Sequence, residues 1–442
     1  MANTYLTRTT GTPTNAKKWT LSFWVKISAD FSTAEDVVYT GTDGSNEVLL
    51  HRYETDGTLA CKEDTSAQNS VFTYTNSEIK FRDCNAWQHW VYAYDSTQST
   101  DTNRLKVYIN GVDRRTVETL TADTKPPLNH EPILNKSGYT FGFGRRSYDG
   151  SNYFKGLLSH VHFIDGVQYD ASTFGSTDST TGEWKINTSP TISDYGNNGF
   201  FILKDGNSVT DQSGKGNNFT AYGTLTKTED CPSNVFATWN PLSTNTTLSS
   251  GNTESELGSP GSGYHTASST LAMTSGKFYM ECKVTVQDDY PSLGICRPSS
   301  PHATKLGNNW LGDDANSYGF YVGTGSNFYH NNSNVGSIGT TLATNDVLGM
   351  ALDLDSAQNT LKLYKNGSLI STQNIIDSDD GWMFATTQVN GKASARSKAN
   401  FGNGYFRTTA VSSAGTNASG NGIFEYDCPS GYTALSTKGL NL

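Results

Sequence analysis

The chain has 442 residues, a formal net charge of −10, 17% charged and 12% aromatic residues, and 43 glycines. At roughly 100–200 residues per domain this length predicts two or three domains, and the sparse charge excludes coiled coils and helical bundles, which need A/E/K/L/R-rich periodic segments. The acidic balance argues against a nucleic-acid partner, because phosphate neutralisation needs clustered Lys and Arg and the longest basic cluster is Arg145-Arg146.

From the N-terminus, Met1–Leu6 offers neither a basic n-region nor an apolar h-region, so use without Sec export is expected. No window approaches 18 consecutive apolar residues, so membrane insertion is not expected. Trp19–Ile27 alternates Trp19, Leu21, Phe23, Val25 and Ile27 against Thr20, Ser22, Trp24 and Lys26, the period of a half-buried strand. Trp87–Asp95 reads as a second strand. Arg104–Ile109 is a third, ending in Asn110-Gly111, the type I′ hairpin signal. Gly156–Ile164 is a further strand closed by Asp165-Gly166, and a short helical turn is expected near Tyr169–Phe174.

Gly199–Thr220 couples a short apolar strand to a Gly/Asn/Asp loop and, continued to Pro241, reads as an ordered connector packed on both domains. A polar stretch from Ser243 to Ser262 precedes a second set of strands: Gly276–Val286, Asp346–Leu354, and Thr360–Lys365 ending in Asn366-Gly367. Leu105-Lys-Val-Tyr-Ile-Asn-Gly and Leu361-Lys-Leu-Tyr-Lys-Asn-Gly are one hairpin carried by both halves. The fold class expected is therefore all-β: two tandem antiparallel β-sandwiches over residues 1–175 and 246–442, with the connector at 176–245.

Cys61, Cys84, Cys231, Cys282, Cys296 and Cys428 form no C-x-x-C pair. They read as buried free thiols, with Cys282 and Cys296, on neighbouring strand-like runs, the one pair to consider for a bridge.

The first half, through Trp19–Ile27, the W-x-H-W core of Trp87–Trp90, the V-Y-I-N-G hairpin and Phe154–Ile164, resembles the laminin-G/concanavalin-A-like jelly roll. The second half resembles a SPRY-type sandwich through Gly276–Val286, Trp310-Leu-Gly with Ser317–Tyr321, and Asp346–Asn366. With Asp211–Asn218 and the ending Asn400-Phe-Gly-Asn with Phe424–Leu435, the whole tandem is similar to structural proteins of marine tailed phages, cyanophages and pelagiphages among them. The resemblance implies a non-enzymatic protein of the virion surface, a tail-fibre-like adhesin or a capsid decoration, assembled in the host cytoplasm. Its implied partners are other virion proteins, copies of itself as a homo-oligomer through sandwich edges, and host surface polysaccharide.

Concanavalin-A-like folds also host glucanases, so a glycan depolymerase or glycoside hydrolase is the alternative. Those enzymes place two carboxylates on one strand as E-x-D-x-x-E. Here Glu281 has no acidic partner at +2 or +4, and Asp353 with Asp355 reads as a strand end and turn. His160 and His162, at i, i+2 on one strand, share a face without a third ligand nearby in sequence, which favours packing over metal binding.

Calcium is the cofactor that the laminin-G resemblance implies, held by Asp and Asn oxygens. The candidates are Asp211, Ser213, Asn217 and Asn218 in one Gly-rich loop, and Asp43, Asn46 and Glu47 in another; both also read as plain turns. For glycan binding, aromatic platforms stack on sugar faces while polar neighbours take the hydroxyls. Tyr264, Trp310, Tyr329, His330, Asn331 and Asn332 are the candidates.

Overall fold

We describe a computed structural model, in which residues 3–28, 31–76, 78–117, 119–146, 148–204, 208–242, 244, 246–256, 263–284, 292–303, 309–322, 327–389 and 396–441 are described. The chain divides into two units, Met1–Lys227 and Thr228–Leu442. Each is a sandwich of two antiparallel sheets, and in the second unit the larger sheet also takes a short parallel strand.

In the first unit a seven-stranded sheet runs Thr220–Tyr222, Tyr5–Thr9, Thr140–Phe143, Glu35–Asp43, Asn46–Tyr53, Leu59–Thr65 and Gln68–Asn76. It faces a six-stranded sheet of Phe200–Ile202, Gly156–Asp165, Lys18–Ile27, Gln88–Asp95, Leu105–Ile109 and Val112–Asp113. The alternation of Lys18–Ile27 works as expected: Trp19, Leu21, Phe23, Val25 and Ile27 all enter the core between the sheets. Trp19 stacks on Tyr94 at 5.0 Å, an offset aromatic contact that adds to the burial of both rings. The opposite face of this sheet is covered too. Ala171, Phe174, Tyr169, Trp184 and Tyr195 pack over Val91, Ala93 and Ile164, and the expected helical turn is there as a 3-10 turn, Ala171–Thr173.

Both Asn-Gly hairpins adopt the left-handed pair that a type I′ turn requires: Asn110 and Gly111 have φ of 47° and 82°, Asn366 and Gly367 have 48° and 82°.

Residues 176–245 do not form a separate connector. The stretch divides at residue 227. Its first part completes the first sandwich: Phe200–Ile202 pairs with Gly156–Asp165 and Thr220–Tyr222 pairs with Tyr5–Thr9, while Phe200, Ile202 and Phe219 join the core. The apolar run is too hydrophobic to lie between domains when both sheets have an edge open to it. Asp205, Gly206 and Asn207 of the predicted loop lie outside the described residues.

The second unit has an eight-stranded sheet. Its path is Thr247–Ser249, Glu254–Glu256, Arg396–Asn400, Lys277–Val284, Val347–Asp353, Thr360–Lys365 and Ser368–Asn374, with Thr433–Ala434 pairing parallel to Lys277–Val284. The opposing sheet runs Tyr264–Ser268, Met383–Val389, Ser292–Cys296, Ser317–Tyr321, Asn327–His330 and Ser333–Ser337. Of the predicted strand 276–286, residues 277–284 are strand, and Thr285 and Val286 lie outside the described residues, as do 243, 245 and 257–262 of the polar stretch. Cys282 and Cys296 do not pair. They sit in opposite sheets, Cys282 facing the core and Cys296 in a cluster with Leu311 and Met383, and both are free buried thiols.

Alternation along Lys277–Val284 sends Phe278, Met280, Cys282 and Val284 into the core and turns Tyr279 and Glu281 to the other face. There the C-terminal segment lies over the sheet, with Phe424, Cys428, Tyr432 and Ala434 packed on Tyr279 and Ala351. Glu281, fully buried, accepts from the backbone N–H groups of Glu425 (2.7 Å) and Tyr426 (2.9 Å), one on each carboxylate oxygen. Burial pushes its pKa from an ordinary 4.5 to about 7. The folded chain thus binds more protons here than the unfolded chain between these values, and this group's contribution to stability falls as pH rises from 4.5 to 7.

Three histidines of the first unit have the opposite linkage. Burial holds His89 down to about 3 and drives His51 and His162 well below 6.5. At His89 the reason is geometric as well: Nδ1 accepts from the Trp184 indole N–H at 3.0 Å and Nε2 bonds the Ser22 hydroxyl at 2.9 Å, so no site remains for a second proton. Stability from these groups is present above pH 6.5 and is lost as pH falls below it.

Two outcomes are expected. On acidification from pH 7.5 to 5.5, peptides from 18–27 and 88–95 lose hydrogen-exchange protection after correction for intrinsic rates; protection that holds or rises contradicts the assignment. Glu281→Gln destabilises the second unit by about 1–3 kcal/mol, since one backbone N–H then faces an amide donor, and its denaturation midpoint loses the pH slope between 4.5 and 7 that the unmodified chain has.

Candidate functional site

The outer face of the six-stranded sheet in the second unit carries the most distinctive surface chemistry. On Ser317–Tyr321 the core takes Tyr318 and Phe320, so Ser317, Gly319 and Tyr321 point outward. Across from Gly319 stands Tyr329, and Tyr264 and Thr266 project from the edge strand on the same face. The turn-rich segment 309–316 is laid across this face. Gly319 permits it, because a Cβ there would meet the Leu311 carbonyl oxygen at 2.1 Å. The Thr266 hydroxyl donates to the Asn309 carbonyl (3.1 Å) and the Leu311 N–H donates to the Thr387 hydroxyl (3.2 Å). Gly312, at φ +96°, turns the segment where a Cβ would sit 2.7 Å from that of Tyr329.

This segment holds Trp310 half-exposed over the sheet. Its ring lies edge-on to Tyr329 (5.1 Å between centroids) and Tyr321 (5.5 Å), and Tyr264 is 6.4 Å away. Tyr264, Trp310 and Tyr329, predicted from separate parts of the sequence, are thus one cluster. Tyr321 completes it, and alternation from Tyr318 and Phe320 was the signal that could have placed it there.

His302 clamps the segment from beneath. It is buried, and its Nε2 donates to the Trp310 carbonyl at 3.0 Å while Nδ1 accepts from the Ser300 hydroxyl at 2.6 Å. Asp313 and Asp314 lie beside the ring, close enough for the three groups to suit a metal ion, yet both ring nitrogens are already engaged. Nothing in the sequence around His302 signals this role.

His330 does not join the cluster. It pairs across from Tyr318 on the core-facing side, stacked on that ring at 4.0 Å, with Nδ1 donating to the Ser317 carbonyl. Asn331 and Asn332, at φ 50° and 56°, form the type I′ turn of the hairpin. Their N–H groups donate to the carbonyls of Asp314 and Gly312, clipping the hairpin to the overlying segment. Both side chains are exposed, and no hydrogen bond holds their amides among the described residues.

The proposed calcium loops are built differently from a cation site. Asp211 accepts from the N–H groups of Phe201, Ser213 and Asn217 and from the Ser213 hydroxyl, at 2.8–2.9 Å. Asn217 Oδ1 accepts from Arg8, and the Asp211 N–H donates to Asn218. Asp43 accepts from the N–H groups of Ser45 and Asn46 and from the Asn46 amide. Glu47 accepts from the Tyr39 hydroxyl and lies 3.6 Å from the Lys62 ammonium. Donors rather than oxygens converge on each carboxylate, so these residues do not fit Ca²⁺, which takes 6–8 oxygen ligands.

The two histidines on Gly156–Asp165 lie against one ring, Phe201, at 6.1 Å for His160 and 3.8 Å for His162 between centroids, with a bulge between Ser159 and His162 that places His160 at φ 48°. Asp353 pairs with Lys277 at 2.9 Å, and Asp355 accepts from the Gly276 N–H, a strand end and turn as expected.

A family model of concanavalin-A-like lectins and glucanases, of the laminin-G type, matches residues 1–171, and the SPRY domain model matches residues 277–404. The chain carries a concanavalin-A-like domain and a SPRY domain. The aromatic cluster lies in the SPRY unit. Among solved structures, the TRIM65 PSpry domain is similar at 21% identity, covering 37% of this chain and 87% of its own, with a TM-score of 0.30. The SPRY domain of human HERC1 is similar at 14%, covering 36% and 96%, with a TM-score of 0.30. Stonustoxin is similar at 15%, covering 55% of this chain and 33% of its own, with a TM-score of 0.29. No curated protein matches the chain.

The clamp predicts that His302→Ala frees the segment without unfolding the SPRY unit. Acrylamide quenching of the tryptophan emission, taken as the difference from a Trp310→Phe partner, rises at least twofold. Unchanged quenching would show that the sheet contacts alone hold Trp310.

Proposed function

We propose that the chain is a non-enzymatic surface protein of a phage virion, an adhesin or a capsid decoration, whose SPRY unit binds a host surface glycan. The observation that carries the binding reading is the Trp310–Tyr321–Tyr329–Tyr264 cluster beside the free amides of Asn331 and Asn332. Half-exposed rings offer apolar faces to the C–H side of a pyranose, and two amides supply both donors and acceptors to its hydroxyls. The rings are held by a clamped backbone, so little order has to be gained on binding. The virion reading rests on the resemblance of the tandem and of the ending Phe424–Leu435. Partners would be other virion proteins and further copies of the chain.

Titration of the whole chain with host surface polysaccharide is expected to give saturable binding. Trp310→Ala weakens it at least tenfold, and Asn331→Gly, which removes the amide but tolerates the positive φ of the turn, weakens it less, with melting temperature unchanged in the latter. Binding that survives Trp310→Ala removes the cluster from the site. Immunogold labelling of virions tests the location, and unlabelled particles would overturn it.

A further inference from the structure

On one side of the SPRY unit both sheets end in an open strand. Ser368–Asn374 closes the eight-stranded sheet and Ser333–Ser337 the six-stranded one. The two edges lie together, because a Cβ on Gly336 would meet the Gln373 amide at 2.6 Å. Residues 331–345 and 366–376 hold no Asp, Glu, Lys, Arg, His or Pro, in a chain with 17% charged residues. Leu369, Ile376 and Val335 are 52%, 46% and 46% exposed. Sheet edges are ordinarily guarded by charge, by proline or by an overlying segment, since their free N–H and C=O groups are a template for another strand. The nine-residue edge Gln68–Asn76 of the first unit is guarded in this way: Thr73 and Thr75 donate their N–H groups to the carbonyls of Thr124 and Ala122.

The free groups of Ser368–Asn374 can be placed. Ile375 donates its N–H to the Asn359 carbonyl. Alternation therefore turns the N–H and C=O of Gln373 and Ser371 toward Thr360–Lys365, and those of Thr372 and Asn374 to the open side. Ile370 is the extra residue of a bulge and packs against the core, which leaves the ladder from Ser371 to Asn374 regular. Among the described residues no backbone hydrogen bond reaches Thr372 or Asn374 from outside the sheet.

We infer that Ser368–Asn374 pairs antiparallel with the same strand of a second copy about a two-fold axis, joining two eight-stranded sheets into one. The inference rests on the self-association proposed above and assigns its surface. Each copy carries a net charge of −10, and this side lets two of them meet with no like charges in contact. A charged partner would find no counter-charge here. Antiparallel pairing of a strand with itself meets the demand of a two-fold interface, where one patch is its own complement. Leu369 loses water on pairing, and so does Val335 on the neighbouring edge.

Sedimentation equilibrium of the full chain at micromolar concentration tests this, and a dimer is expected. Leu369→Lys puts a charge on the edge. Thr372→Pro removes an N–H that serves no bond within the sheet. Each weakens dimerisation at least tenfold with the circular dichroism spectrum unchanged, while Leu128→Lys, at an exposed leucine of the first unit, leaves the dimer intact. Should Thr372→Pro fail to fold, Leu369→Lys decides alone. A monomeric unmodified chain overturns the proposal and leaves glycan binding standing. A dimer that persists in the edge variants overturns it too, by placing self-association on another surface.

Discussion

A β-sheet has two faces, and a partner sheet can bury only one of them. Everything specific to this chain follows from how the remaining faces are treated. In the first unit, the six-stranded sheet is roofed by residues 169–195, with Trp184 bonded to His89. In the SPRY unit, the eight-stranded sheet is roofed by residues 424–434, pinned at Glu281. The other six-stranded sheet receives, among the described residues, the segment 309–316 with Ala303 beside it. The first unit's seven-stranded sheet leaves a cleft between Tyr222 and Tyr148. Roofed faces give stability, and the incompletely covered one in the SPRY unit carries the candidate site.

Each roof requires the sheet beneath to supply a polar anchor, because a loop laid on a sheet brings backbone N–H and C=O groups away from water. Glu281, Thr266, Thr387 and His302 serve that purpose in the SPRY unit. In the first unit Asp211 does the same for the loop that leads Phe219 into the core and Thr220–Tyr222 onto the sheet edge. Its role is to fold the loop, and one consequence is that Tyr222 arrives against Tyr5. The buried acid and the buried histidines titrate in opposite senses for one reason. Each resists its charged form, which for a carboxylate is the deprotonated state and for an imidazole the protonated one.

Local pattern was legible in the sequence wherever one strand or turn decides it. The period of Trp19–Ile27, the two Asn-Gly turns and the turn at 171–173 all follow from nearest neighbours along the chain. What required the third dimension was not legible. Cys282 and Cys296 are close in sequence and on successive strands, but the chain crosses between sheets there. His160 and His162 both reach Phe201, but through a bulge that their i, i+2 spacing does not signal. The run near Gly199 looked like a connector because edge strands carry no mark of which sheet they join.

The candidate site shows the same division at closer range. Tyr329 and His330 are adjacent, and pleating alone sends one to the outer face and the other against Tyr318. Alternation counted from the core residue Phe328 separates them without a structure. Trp310 could not be placed that way, since it lies outside any strand and is positioned by Gly312, Gly319 and His302, three residues whose importance is steric or concealed. A sheet glycine normally weakens a strand. At Gly319 the missing side chain is the space in which the segment bearing Trp310 rests, so the loss of local strand propensity is the condition for having the aromatic cluster at all.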